Sequence, residues 1–130
     1  MSNLPFERLC EAIDLEDEYG EYLQAFEIYD SLGTYSYGYY FAAETLLKYA
    51  LEAEGDDEEI IQRLQNYHKY CKEHDLIVDE SDYETSSYEL LNEAYYNLAV
   101  KSQDNGEYER AMEFYGKVGQ YKDAANRLIE

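Results

Sequence analysis

The sequence predicts an all-α fold built from helical hairpins, and three observations support this prediction. The 130 residues include one proline and seven glycines, too few turn residues for a sandwich or barrel. Apolar residues recur at helical spacing along most of the chain. A motif, G-E-Y-x-x-A-x-E-x-Y-x-x-x-G-x-Y, occurs twice, at residues 20–35 and 106–121. We therefore expect about three degenerate hairpin repeats, seven helices in all, in a single helical-repeat domain spanning residues 1–130.

The first predicted hairpin covers roughly residues 4–33. Pro5, shortly after Asn3, is typical of a helix start, and Gly20 interrupts this first helix. A shorter second helix follows, with Gly33 as its expected left-handed cap. Each helix carries one apolar stripe. The two stripes are Phe6, Leu9, Cys10 and Ile13, then Tyr22, Ala25, Phe26 and Tyr29.

The second predicted hairpin covers roughly residues 38–74. Its first helix should run from near Tyr39 to Glu54, and Gly55 with the two following aspartates forms the turn. Its second helix has the clearest stripe in the chain, which consists of Ile60, Leu64, Tyr67, His68 and Cys71. Residues 35–40 alternate with a period of two, so a strand is the alternative there, although no second convincing strand exists to pair with it.

The third predicted hairpin covers roughly residues 86–118 and follows a loop over residues 75–85. Ser86-x-x-Glu89 is a capping-box pattern that opens a helix. Asn105-Gly106 marks the turn into the next helix. A final short helix is expected over residues 121–130.

The third hairpin resembles the tetratricopeptide repeat family, with the best match at residues 94–118. Matching residues occupy the family's first aromatic position, its large–small pair, its turn glycine and its second-helix positions. They are Tyr95, Leu98, Ala99, Gly106, Tyr108, Ala111 and Tyr115. The resemblance implies antiparallel helix pairs that bind protein partners. Ile13, Lys48 and Ile60 depart from the family's small residues elsewhere, and the closing proline is missing.

The charge of the chain restricts its partners. Thirty acidic and ten basic residues give a formal net charge of −20. Direct binding to nucleic acid or to an anionic membrane is disfavoured, because such sites need clusters of lysine and arginine. Most of the excess lies in the first 85 residues, and no basic residue occurs between Arg8 and Lys48. We expect a cytoplasmic protein, because no signal peptide is visible and the two cysteines form no CxxC pair.

Catalytic and metal-binding motifs have no positive support in the sequence. His68, Cys71 and His74 look like a metal cluster, but residues six apart on a helix point in different directions, so packing is the favoured interpretation. The acidic run at residues 56–59 lacks the EF-hand pattern. No phosphate loop, nucleophile elbow or zinc-protease motif is present. We therefore predict no enzyme, no cofactor and no metal site.

The acidity and the tyrosines together suggest a non-catalytic protein-binding module. Carboxylates spaced along helices can imitate a phosphate backbone, so we expect an inhibitor that occupies the basic groove of a nucleic-acid-binding protein, such as a restriction or CRISPR effector. The cluster at residues 35–40 is equally consistent with an interface and with packing. The predicted contact residues are Asp14, Glu16, Asp17, Glu18, Glu21, Tyr35, Tyr37, Tyr39, Tyr40, Asp56, Asp57, Glu58, Glu59, Asp79, Glu80, Asp82 and Glu84.

The alternative function is a repeat adaptor that binds a peptide or protein partner in a groove. In that case the acidity reflects a basic ligand or an acidic proteome. Salt and nucleic acid should displace the target from a mimic, because that attraction is between charges. For an adaptor, a residue in the groove should matter more for binding than surface charge does.

Overall fold

The computed structural model describes residues 4–118, and all regular structure within them is helical. This confirms the all-α class for that range. Six α-helices are found there, and the predicted seventh, over residues 121–130, lies outside the described residues. The elements are α1 Leu4–Asp17, α2 Tyr22–Leu32, a 3₁₀ turn Tyr35–Tyr37, α3 Gly38–Leu51, α4 Asp57–Glu73, α5 Ser87–Asp104 and α6 Tyr108–Val118.

The described residues form two compact units. The first consists of residues 4–52 and 63–79, and the second of residues 53–62 and 80–118. In the first unit α1 packs on α2 and α2 packs on α3, whereas in the second α5 packs on α6. The predicted hairpin at residues 38–74 draws on both units, because the first turns of α4 belong to the second unit. The single-domain organisation stays a prediction.

Small residues let the helices of the first unit approach closely. Ala12 of α1, Ala25 of α2 and Ala42 and Ala43 of α3 are completely buried. Tyr29 of α2 is buried as well, with 2% of its surface exposed, so the same unit buries a large ring beside small side chains. Such alternation of small and large side chains gives dense packing between helices.

The connection between α2 and α3 depends on Gly38, and the alternative of a strand at residues 35–40 is wrong. The chain makes a 3₁₀ turn there, and α3 starts at Gly38 itself. A Cβ atom at Gly38 would meet the carbonyl oxygen of Tyr29 and would lie 2.7 Å from Cβ of Leu32. Any other residue would therefore push α3 away from α2. The alternation at residues 35–40 therefore belongs to a tight turn and a helix start, and not to a strand.

As far as residue 118, which is where the description of the second copy ends, the two copies of the sequence motif have the same local structure. In both, the helix covers the same part of the motif: α2 runs from Tyr22 to Leu32, and α6, also 11 residues long, from Tyr108 to Val118. The turn glycine before each helix has a positive φ, 63° at Gly20 and 80° at Gly106. The motif's alanine and second tyrosine are buried in both copies. A shared pattern of residues therefore accompanies a shared turn and helix.

Helix ends follow the turn chemistry in most cases. One of the two hydrogen bonds of the predicted capping box is confirmed, because the Glu89 amide donates to Ser86 Oγ at 3.2 Å. After α5, the Gly106 amide donates to the Gln103 carbonyl and the Glu107 amide to the Ser102 carbonyl, which is the Schellman arrangement. Gly33 has the expected positive φ of 59°, but its ψ of −126° lies outside the left-handed helical region. The expected left-handed cap is therefore wrong in its ψ.

Candidate interaction surface

The turn from α1 to α2 presents acidic side chains to solvent. Gly20 has a φ of 63°, and the Glu21 amide donates to the Leu15 carbonyl at 2.8 Å, which closes the turn. Because Ala12 faces the core, residues two and five positions further along α1 face outward. The exposed carboxylates here are Asp14, Asp17, Glu18 and Glu21, and we call them the α1–α2 acidic surface.

Three basic residues of the first unit form ion pairs with acids outside this surface. Arg8 pairs with Glu11 at 3.0 Å, Lys48 pairs with Glu16, and Lys69 lies 3.9 Å from Glu73. Within the described residues, no ion pair or hydrogen bond to the side chains of the α1–α2 acidic surface is found. Four exposed carboxylates within eight consecutive residues therefore produce a local negative potential.

Glu16 corrects the expectation that every acid of this segment is a surface contact. Only 8% of it is exposed, because it lies one helical turn after Ala12 on the buried face of α1. Its Oε2 accepts hydrogen bonds from Tyr29 Oη at 3.1 Å and Thr45 Oγ1 at 3.2 Å, and its Oε1 pairs with Lys48 Nζ. Glu16 thus ties α1 to α2 and α3, and only a small part of it is left exposed to a partner.

The environment of Glu16 changes the pKa of two neighbours. Burial, followed by the charge of Glu16 and its hydrogen bond, raises the pKa of Tyr29 well above its ordinary value. Burial also raises the pKa of Glu44, and the attraction of Lys48 only partly opposes this effect. Repulsion by Glu16 and Asp79 adds to the increase. Glu44 is therefore a carboxylate whose charge is poorly compensated.

A cleft beside the α1–α2 acidic surface contains Glu44. Its walls are apolar or aromatic at Ile13, Tyr29 and Phe41, and its acidic edge is formed by Asp17 and Glu44. The Glu16–Lys48 ion pair completes the lining of the cleft. The volume of about 310 Å³ is at the lower end of the range for ligand sites, so it suits one long side chain better than a whole small molecule.

The four tyrosines predicted as contacts divide into two pairs. Tyr35 and Tyr37 are exposed, by 61% and 76%. Tyr37 also has a φ of 59° and a ψ of 34°, a left-handed conformation that is uncommon for an aromatic residue. Tyr39 and Tyr40 are half-buried. The exposed Tyr35 and Tyr37 are therefore available for an interface, whereas Tyr39 and Tyr40 occupy packing positions.

The half-buried pair has defined partners within the first unit. The Tyr39 ring stacks on His74 with a centroid distance of 4.1 Å, and His74 lies 4.4 Å from Tyr70. Tyr40 Oη accepts a hydrogen bond from the Asp79 amide at 3.2 Å. His74 thus packs against two aromatic rings, those of Tyr39 and Tyr70. Within the described residues, no group of three or more His, Cys, Asp or Glu side chains is arranged to hold a metal ion.

The acidic start of α4 is largely engaged within the second unit. The Asp56 carboxylate accepts from the Glu59 amide at 3.2 Å, which caps the helix. Asp57 lies 3.5 Å from the Asn97 amide nitrogen, and Glu58 lies 3.2 Å from an Arg110 nitrogen. These acids have structural partners that the acids of the α1–α2 surface lack.

The acids of the loop before α5 differ among themselves. Glu80 binds both the amide and the hydroxyl of Ser87 at 2.7 Å, so it fixes the start of α5. Asp82 and Glu84 in the same unit are exposed. Asp79, which belongs to the first unit, is exposed as well. Glu80 was predicted as a contact, but both its oxygens are occupied.

Sequence reasoning missed four residues of the candidate site. Glu44, Phe41 and Ile13 come together in the cleft, although 28 positions separate Ile13 from Phe41 in the chain. Tyr19, in the turn beside Asp17 and Glu18, is 68% exposed and was also overlooked. One signal in the sequence pointed to Glu44: it is the last acid of the stretch without bases, four residues before Lys48, the first base after Arg8.

Comparison of the chain with protein-family models, curated proteins and solved structures finds no match to any of them. In the part of the chain that the structure describes, no helix combines the length and the apolar character that crossing a bilayer requires.

Proposed function

We propose that the chain is a non-catalytic binding module whose α1–α2 acidic surface docks on a basic protein. The observation that supports this most strongly is a group of four exposed carboxylates that have no ion-pair partner within residues 4–118, namely Asp14, Asp17, Glu18 and Glu21. A magnitude of 2–8 is typical of the net charge that keeps a small domain soluble, and −20 far exceeds it. Binding a cationic partner would relieve this self-repulsion.

The partner that fits best is a nucleic-acid-binding protein with a basic groove. Helix-borne carboxylates near exposed Tyr19 offer charge in place of phosphates and a ring in place of a base. An inhibitor acting in this way would compete with nucleic acid for the groove. We further propose that it acts in the cytoplasm, since Cys10 and Cys71 are both free thiols, as is usual in a reducing compartment.

The test is retention on an immobilised basic nuclease. We expect the protein to be retained at low salt and released by double-stranded DNA or by about 0.5 M salt, because the attraction is between exposed charges. The triple variant Asp14→Lys, Asp17→Lys, Glu18→Lys should not be retained. A matched variant, Asp104→Lys, Glu109→Lys, Glu113→Lys, makes the same change in net charge at exposed acids of the second unit and should still be retained.

Two results would contradict the proposal. Equal loss of retention in both triple variants would show that net charge alone is responsible and that the α1–α2 acidic surface has no special role. Retention that neither DNA nor salt reduces would rule out nucleic-acid mimicry. In that case the adaptor function described next would be the better explanation.

The alternative is a tetratricopeptide-like adaptor, and one observation favours it. The motif at residues 20–35 and 106–121 gives equivalent helices, α2 and α6, with the same buried alanine and tyrosine positions. Helical repeats of this kind bind peptides in grooves. An adaptor should bind a peptide with little dependence on salt, which a titration of captured peptides at low and high salt measures.

A further inference from the structure

The cleft between α1 and α3 combines features that suit a cationic side chain. Ile13 is 40% exposed at the cleft edge and offers apolar surface to an aliphatic stem. Phe41 supplies an aromatic wall, and Asp17 and Glu44 supply negative charge. Lysine and arginine have this structure, with an apolar stem and a charged end.

Glu44 is the residue that most needs such a ligand. It is half-buried, and no side chain in the described range donates a hydrogen bond to its carboxylate. The cation that acts on it, Lys48, forms an ion pair with Glu16. Lys48 therefore acts on Glu44 only through space, and this attraction does not offset the effect of burial. A partially desolvated carboxylate without a hydrogen-bond donor gains strongly from an incoming cation.

We propose that this cleft receives an arginine side chain of the basic partner, with the guanidinium at Glu44 and Asp17 and the stem along Ile13 and Phe41. This inference rests on the proposed function and names one specific contact within it. Arginine fits better than lysine, because a planar guanidinium stacks on aromatic rings, sheds water more easily and can contact two carboxylates together. The chain already uses this geometry internally, since the Arg63 guanidinium lies 3.8 Å from the centroid of the Tyr49 ring.

The experiment is a calorimetric titration of the full chain with hexa-arginine, hexa-lysine and hexa-citrulline peptides. Citrulline has the shape of arginine without its charge. We expect the order hexa-arginine, then hexa-lysine, then no binding of hexa-citrulline. Glu44→Gln should weaken hexa-arginine binding about tenfold, or about 1.4 kcal/mol. The matched variant Glu27→Gln removes one exposed carboxylate from α2 and should change the affinity less than about twofold, as expected for a screened surface charge.

A second readout separates the cleft from general charge attraction. A cation bound at Glu44 favours the ionised carboxylate, so binding at mildly acidic pH should release a proton. Titrations in buffers with different ionisation enthalpies measure this release. It should be present in the wild type and in Glu27→Gln, and absent in Glu44→Gln.

The outcomes distinguish this inference from the function on which it rests. If hexa-arginine binds but Glu44→Gln and Glu27→Gln weaken it equally, the arginine cleft is refuted and the acidic surface remains. Proton release that persists in Glu44→Gln refutes the cleft as well. If neither basic peptide nor the basic nuclease binds, the proposed function itself fails.

Discussion

Reversing the charge of Glu16 should strongly destabilise the first unit, whereas reversing that of Asp17 should not. The two acids are adjacent in the chain, but Glu16 is 8% exposed and Asp17 is exposed. Glu16→Lys removes the acceptor of two hydroxyl groups, and each lost hydrogen bond costs about 1 kcal/mol. It also places a second cation beside Lys48.

The electrostatic part of this change must be reduced for solvent screening. Breaking a fully buried ion pair costs about 3–5 kcal/mol, but the side chain of Lys48 is 39% exposed, so we take about 1–2 kcal/mol. The total loss for Glu16→Lys is then about 3–4 kcal/mol, a large part of the stability of a domain of this size. Asp17→Lys should change the free energy of unfolding by less than about 0.5 kcal/mol.

Urea unfolding followed by circular dichroism measures both values. The slope of the free energy of unfolding against urea concentration must be the same in both variants, because only then does the change in midpoint report a change in stability. A loss below about 1 kcal/mol for Glu16→Lys, or equal losses for both variants, would refute the structural role of Glu16. If the role is correct, loss of partner binding after reversal of Glu16 reports unfolding and says nothing about docking.

Three further predictions concern the same unit and its comparison with α6. Tyr29→Phe should lower the free energy of unfolding by about 1 kcal/mol, and in a spectrophotometric titration it should remove one of the tyrosines with raised pKa; unchanged stability would contradict the hydrogen bond to the buried carboxylate. Gly38→Ala should destabilise by about 1–3 kcal/mol because a Cβ there meets backbone, whereas Gly116→Ala, with nothing within 4 Å, should stabilise α6 by up to about 1 kcal/mol; thermal unfolding compares them, and two changes of the same sign would be inconsistent with the packing. The raised pKa of Glu44 means that the folded state binds the proton more tightly than the unfolded state, so this group makes stability fall as pH rises from below its unfolded pKa through its folded pKa. Glu44→Gln should therefore increase the urea midpoint at neutral pH and not at low pH, and an unchanged neutral midpoint would be evidence against the effect of burial.

Local chemistry explains what the sequence could predict. The helix start at Ser86 depends on one side chain and an amide three residues later, so a pattern of four residues is enough to find it. The turn glycines Gly20 and Gly106 are similarly local, because a positive φ is easy only for glycine. The α1–α2 acidic surface was also predictable in outline, since a run of acids without any base between Arg8 and Lys48 is visible in the sequence.

Long-range contacts explain what it could not predict. The partners of Glu16 are 13, 29 and 32 positions away, and no local pattern identifies them. The same is true of the cleft, which requires side chains of α1 and α3 to meet. The strand alternative at residues 35–40 is wrong for a different reason, because the close approach at Gly38 accompanies a 3₁₀ turn and a helix start there.

The matching helices α2 and α6 show that the acidity is not a requirement of the fold. Both bury an alanine and a tyrosine at the same places, yet α2 carries two acids and no base, whereas α6 carries two acids and two bases. The same packing is therefore compatible with a charged or an electrically balanced exterior. The outward positions of α2 can be exchanged for those of α6 without disturbing the inward ones, so the electrostatic character of the molecule is a property that can be redesigned separately from its architecture.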